Sequence, residues 1–253
     1  MVLGLVSYKF INNDIEFNIS QIKKAIRESK NIDMLCFGET FLQGFDAFNW
    51  NYNHDIEIAI SNDSDIMKRL EQLSLDSNID LAFGYLEKEN EDLYSSYAII
   101  INGKLAYNYR RISIGWKEVL LTDYHYKEGN EVVEFNYKEH NVVIALCGDM
   151  WEYPEKYKST DLLLWPVYVN FTLDEWQEYE KEYVEQAVLA CNNTLMINSL
   201  SDEPKSYGEA FYFKDGNIIW LQFMGGFSSQ YLKHQYLIHI QHLNFPVLET
   251  WLF

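Results

Sequence analysis

Three places in the sequence combine a reactive side chain with a setting that can use it. Cys147 follows the apolar run Val142-Val143-Ile144-Ala145-Leu146 and precedes Gly148-Asp149. A thiol just past a strand end and followed by glycine suits a sharp elbow. Such an elbow exposes the side chain and frees backbone N–H groups to bind an oxyanion. Glu39 ends the run Met34-Leu35-Cys36-Phe37 and precedes Thr40-Phe41-Leu42. A carboxylate among such neighbours is partly desolvated, which suits a general base. Tyr109-Arg110-Arg111-Ile112 closes a third run. Neighbouring strand residues point to opposite faces, so one arginine can face inward while the other meets solvent. Each pattern also has a plainer reading. Cys147 suits a small core hydrophobe, Glu39 a strand-terminal loop cap, and the arginines two surface cations.

The elements that must position these residues follow from hydrophobic periodicity. Val2 to Ser7 reads as a buried strand, Asp14 to Ser29 as a helix with Ile15, Ile19, Ile22 and Ile26 on one face, and Met34 to Phe37 as a second strand. The order repeats with a helix over Ser64 to Ser77 and a strand over Leu81 to Tyr85. Asn102-Gly103 and Asp215-Gly216 each separate two apolar runs, a hairpin signal. Val132 to Tyr137 and Val142 to Leu146 form another pair. Leu162 to Trp165 and Leu195 to Asn198 read as strands flanking a long helix over Asp174 to Cys191, and Tyr236 to Ile240 as the last strand. Alternating strands and helices with hairpins between them imply an α/β fold of two mixed sheets faced by helices. No linker, repeat or low-complexity segment divides the chain, so residues 1–253 read as one domain, with 242–253 an apolar tail.

Composition narrows the partners. The chain carries 20 basic and 38 acidic side chains, a formal net charge of −18. A nucleic acid backbone or an anionic membrane surface would repel it, so neither is an expected partner. Cys36, Cys147 and Cys191 are odd in number and far apart, which points to no disulfide framework and to a reducing cytoplasm. No CxxC or HxxxH spacing suggests a metal, and no cofactor is expected. No segment reaches the roughly 20 apolar residues that span a bilayer. The start, MVLGLVSYKF, reads as a strand rather than a signal peptide.

Taken in order, the three places resemble the nitrilase superfamily of carbon–nitrogen hydrolases. Phe37 to Phe45 is similar to the family's first motif, with Glu39 in the place of the catalytic base and Gly38 where a proline is usual. Cys147, Asp149, Pro154 and Glu155 are similar to the motif of the nucleophilic cysteine. Asp161 to Pro166 and Glu185 to Asn192 resemble the next strand and helix. Lys104 to Ile114 departs from the pattern, because the family reads Tyr-Arg-Lys-aliphatic-His there. Arg111 stands at the catalytic lysine's position and Ser113 at that of the histidine. A shift of register to Lys117 would break the motif.

The resemblance implies a four-layer α-β-β-α sandwich and a thioester-like acyl-enzyme made by Cys147. Glu39 would be the base, and the Gly148 N–H would help a cation bind the oxyanion. Arg111 keeps the charge but cannot readily release a proton, and its planar fork needs more room than an ammonium. Loss of one oxyanion donor costs on the order of 10²–10³-fold in rate in a hydrolase. A second glutamate is implied at Glu118, with Glu128 as the alternative. Phe45, Trp151, Trp165 and Asn170 stand where similar proteins shape the substrate pocket, and each aromatic also suits core packing. The substrate class implied is a small amide, nitrile or carbamoyl compound.

The apolar tail contains Leu243, Phe245, Val247, Leu248, Trp251 and Phe253. It suits burial against a second subunit, as in the homodimers common in the family, or against its own domain. Three functions compete: a cysteine-dependent amidase, a scaffold protein inactivated at Arg111, and a redox-sensing thiol protein.

Overall fold

The computed structural model describes residues 1–159, 161–202 and 205–219, together with the strand backbones of 236–241 and 250–252. Apolar strand runs and capped amphipathic helices alternate as the sequence implies. The chain opens with β1 (Val2–Ser7), α1 (Ile15–Glu28) and β2 (Met34–Phe37), then a short α2 (Tyr52–Ile58), α3 (Asp65–Ser77) and β3 (Asp80–Glu89). The hairpin of β4 (Asp92–Ile101) and β5 (Lys104–Arg110) follows, then β6 (Glu134–Tyr137), β7 (His140–Ile144), α4 (Asp149–Glu152) and β8 (Leu162–Val167). The rest is α5 (Leu173–Val188), β9 (Asn193–Asp202), β10 (Lys205–Lys214), β11 (Asn217–Ile219), β12 (Tyr236–Gln241) and β13 (Thr250–Leu252).

Helix ends match local chemistry. Asp14 accepts from the Phe17 N–H, Ser64 from that of Met67, and Thr172 forms a capping box with Glu175. Each such cap is worth about 1 kcal/mol. At the β4–β5 turn, Asn102 and Gly103 have φ of 52° and 71°, the left-handed pair a two-residue hairpin needs.

The strands form two mixed sheets. One has the order β13-β12-β1-β2-β3-β4-β5 and the other β11-β10-β9-β8-β7-β6. Each holds a parallel trio, β1-β2-β3 or β7-β8-β9, extended on both sides by antiparallel strands. Alternation along the strands sorts the core. From β2, Met34 and Cys36 join the cluster shared with the second sheet, where Val143, Leu163 and Leu195 lie. Leu35 and Phe37 face the other way, against Ile19 and Ile22 of α1 and Leu70 of α3. Each fully buried isoleucine there contributes about 1.5–3 kcal/mol. On the far side, Trp176 and Tyr183 of α5 pack on the second sheet. Helix, sheet, sheet and helix thus form four layers, as the resemblance implies.

Several elements exceed their sequence signals. β3 runs four residues past Tyr85, into a turn at Asn90 that the sequence reading did not anticipate. β9 extends past Asn198, α2 is additional, and β13 adds a strand to β12 within the stretch read as a tail. Residues 242–249 and 253 of that tail lie outside the described residues. Among the described residues, no helix is long and apolar enough to cross a membrane.

Candidate active site

The site lies where both sheets present the carboxyl ends of their parallel strands, the usual place for chemistry in α/β folds. Glu39 follows β2 and is fully buried. Its backbone crosses Gly84 of β3 so closely that a Cβ there would sit 2.3 Å from the Thr40 nitrogen. Thr40 itself takes φ of 47°, a costly conformation for a β-branched residue and a mark of a site held by its surroundings. Glu39 Oε1 accepts from Arg111 Nη1 at 2.9 Å and from Ser95 Oγ at 3.4 Å. Its Oε2 is buried and has no hydrogen-bond partner among the described residues.

Cys147 sits just beyond β7 with φ of 42°, the strained elbow expected of a presented nucleophile. Neighbouring β8 holds this turn from two sides. The Cys147 N–H donates to the Pro166 carbonyl at 3.0 Å, and the Trp165 indole N–H donates to the Cys147 carbonyl at 2.9 Å. The residue is half-buried, and its thiol faces the Tyr168 carbonyl at 3.9 Å. Burial first, then the Glu39 carboxylate, push the thiol up to about 12, against the pull of Arg111.

The two arginines divide as strand alternation requires. Arg110 is taken up by Glu87 in a two-point pair, Nη2 to Oε1 at 2.6 Å and Nε to Oε2 at 2.9 Å. Arg111 turns inward with only 3% exposure. Besides Glu39 it binds Ser113 Oγ through Nε at 2.7 Å. Burial opposes its charge, but Glu39, Cys147 and Asp149 outweigh burial and hold the guanidinium protonated well above its ordinary range. Lys117 is engaged elsewhere, by Glu128 at 2.7 Å and by the Tyr126 carbonyl.

Asp149 joins the cysteine and arginine segments, a role the sequence signalled only through its spacing from Cys147. It is fully buried and its carboxylate accepts four hydrogen bonds. Oδ1 takes the N–H groups of Ile112 at 3.0 Å and Ser113 at 2.7 Å. Oδ2 takes the Leu146 N–H at 2.9 Å and the Tyr109 hydroxyl at 2.5 Å. Ser95 and Ser113 are further partners that sequence reasoning did not single out.

The remaining residues fall at different distances from this centre. Phe45 stacks on Tyr168, centroids 4.8 Å apart, beside the carbonyl that meets the thiol. Trp165 is fully buried and supports the elbow from beneath. Trp151 is 41% exposed and meets Tyr183 edge-on. Asn170 is exposed on the loop after β8. Glu118 is exposed, and its backbone carbonyl closes a turn with Leu121 and Thr122. Glu128 is spent on Lys117. Neither glutamate is among the partners of Glu39, Arg111 or Cys147 described above.

The family model for carbon–nitrogen hydrolase matches residues 3–162, which include all three motifs. The chain belongs to this family. Over 154 residues it is 24% identical to a glutamine-dependent NAD(+) synthetase of Thermotoga maritima, covering 59% of this chain and 26% of that protein. The structure of a glutamine-dependent NAD+ synthetase from Acinetobacter baumannii is similar at a TM-score of 0.73 and 17% identity, over 95% of this chain and 45% of the other. An amidase from Nesterenkonia sp. is similar at a TM-score of 0.69 and 14% identity, over 87% and 84%. This carbon–nitrogen hydrolase chain therefore spans about a quarter of the curated relative and less than half of the solved synthetase. At these identities the solved structures speak for the fold, the nitrilase-like pair of sheets, and not for a substrate.

Proposed function

We propose that the chain is a single-domain, cysteine-dependent amidase of the carbon–nitrogen hydrolase family, using a Glu39-Arg111-Cys147 version of the family's triad. The observation that carries this reading is the buried contact of Arg111 with Glu39 Oε1 at 2.9 Å, which leaves Oε2 free of other partners among the described residues while the same carboxylate acts on the Cys147 thiol. Because the resting thiol is raised to about 12, a standing thiolate is scarce at neutral pH. Proton transfer from sulfur to Glu39 Oε2 then accompanies attack on the amide carbon. Arg111 and the Gly148 N–H stabilise the oxyanion that forms. The amine departs with the proton from Glu39, leaving a thioester on Cys147. Water, activated by the same carboxylate, or an amine acceptor releases the acyl group.

The substrate is a small amide, nitrile or carbamoyl compound, and the protein works in the cytoplasm as a homodimer. The test is incubation with a panel of small amides and nitriles, followed by intact mass of the protein. Glutamine belongs in the panel because the two synthetases above depend on it. Release of the amine and acyl products, with a transient acyl mass on Cys147 during turnover and both absent in Cys147→Ser, is the expected result. A thiol that neither acylates with any member nor alkylates faster than free cysteine, even after Arg111→Lys, sinks the enzyme reading.

One observation favours a non-catalytic scaffold instead. Two of the three nitrogens of Arg111 are already committed, to Glu39 and Ser113. If that commitment holds the cation away from the oxyanion, Arg111→Lys restores turnover and the natural chain has none.

A further inference from the structure

We propose that Gly148 and Arg111 are a matched pair, in which the missing side chain at 148 is what lets a guanidinium occupy the cation position beside Cys147. The inference rests on the triad assignment but not on turnover. A Cβ on Gly148 would lie 2.3 Å from Arg111 Nη2, 3.3 Å from its Cζ and 3.2 Å from Ser113 Oγ. The same Nη2 lies 3.2 Å from where a Cβ on Gly115 would stand. Nη2 thus occupies a slot between two glycines.

Backbone freedom does not explain the residue at 148. Its φ and ψ are −62° and −15°, ordinary right-handed values open to any amino acid. Space does explain it. Nor can the fork simply swing aside, because Arg111 is 3% exposed and is fixed through Nη1 to Glu39 and through Nε to Ser113. Close-packed interiors transmit an added methyl as displacement of the neighbour. A compact ammonium has no second branch to reach the slot. Residue 148 therefore acts as a positioning residue. It decides whether the charge at 111 stays beside the nucleophile, and Gly148 and Arg111 are a compensated combination rather than a lost lysine.

The test is the pH profile of Cys147 alkylation by iodoacetamide, read by mass, in the natural protein, Gly148→Ala, Arg111→Lys and the double variant. Displacing the guanidinium withdraws the charge that favours thiolate, so Gly148→Ala should slow alkylation about tenfold at a fixed pH and move the profile to higher pH. In the Arg111→Lys background the same alanine should change the rate less than about twofold. Equal losses in both backgrounds would assign the effect to the elbow backbone and overturn the pair, as would no loss in the natural protein. Should Gly148→Ala fail to fold, Gly115→Ala probes the same Nη2, with a smaller slowing expected in the Arg111 protein and none in the Lys variant. Because alkylation needs no substrate, a protein inert on every amide still reports on the pair.

Discussion

Arg111 and Glu39 are 72 positions apart in the chain, yet they meet at 2.9 Å with both side chains out of solvent. Removing one member of such a pair strands the other. Arg111→Met should destabilise the fold by about 3–5 kcal/mol, while Glu39→Gln combined with Arg111→Met should cost clearly less than the sum of the single changes. Urea midpoints of the four proteins check this, and strict additivity would refute the coupling.

Glu39 holds two roles toward Cys147 that can be separated. As a charge it raises the thiol, and in the proposed mechanism it is also the base that takes the thiol's proton. Glu39→Gln removes both. At pH 8–9 the thiolate fraction should therefore rise and iodoacetamide should react faster, while acylation by amides falls on the order of 10²-fold or more. Alkylation that slows in step with acylation would show that the carboxylate acts only as base.

Asp149 should behave as a joint. Asn in its place keeps the shape but turns an amide NH₂ toward donors it cannot pair with. With the NH₂ in the place of Oδ1, the Ile112 and Ser113 N–H groups are the two that lose their acceptor, for about 3 kcal/mol. Thermal unfolding measures the cost. Because Ser113 also loses its backbone anchor, Arg111 should loosen and Cys147 alkylation should shift to higher pH.

Trp165 should matter to rate more than to stability. Trp165→Phe preserves much of the ring but deletes the N–H that holds the Cys147 carbonyl. About 1 kcal/mol of stability is at stake. The strained elbow loses one of its two tethers to β8, so kcat for amide turnover should fall while KM changes little. A rise in KM alone would make Trp165 a pocket wall instead.

Much of this arrangement is written locally. The runs Val2–Ser7 and Met34–Phe37, the capped helices and the Asn102-Gly103 turn are read from periodicity because burial and backbone geometry act residue by residue. Inward Arg111 and outward Arg110 follow from strand alternation in the same way. What escaped the reading depends on contacts between distant segments. The turn at Asn90-Glu91 carries no glycine to announce it. Asp149 gathers donors from residues 109, 112, 113 and 146, and no spacing rule displays such convergence. Trp165 suits a pocket wall and core packing equally by position, and only the fold shows it buried with its indole N–H on the Cys147 carbonyl. Glu118 followed the right motif at a plausible distance, yet the loop carries it to the surface. The slot beside Gly148 shows only once Arg111 is seen to fill it.

The place of β1 in its sheet has a consequence for how the chain is made. β1 lies inside the seven-stranded sheet, between β2 and β12, with Val2 opposite Gln241. A ribosome releases the first strand early and its antiparallel neighbour more than 200 residues later. Throughout that interval one edge of β1 is a row of unpaired amides and carbonyls, open to any strand that passes. Closure of this side of the sheet is therefore among the last events in making the chain, because it waits for β12 whatever the rest of the fold has already reached.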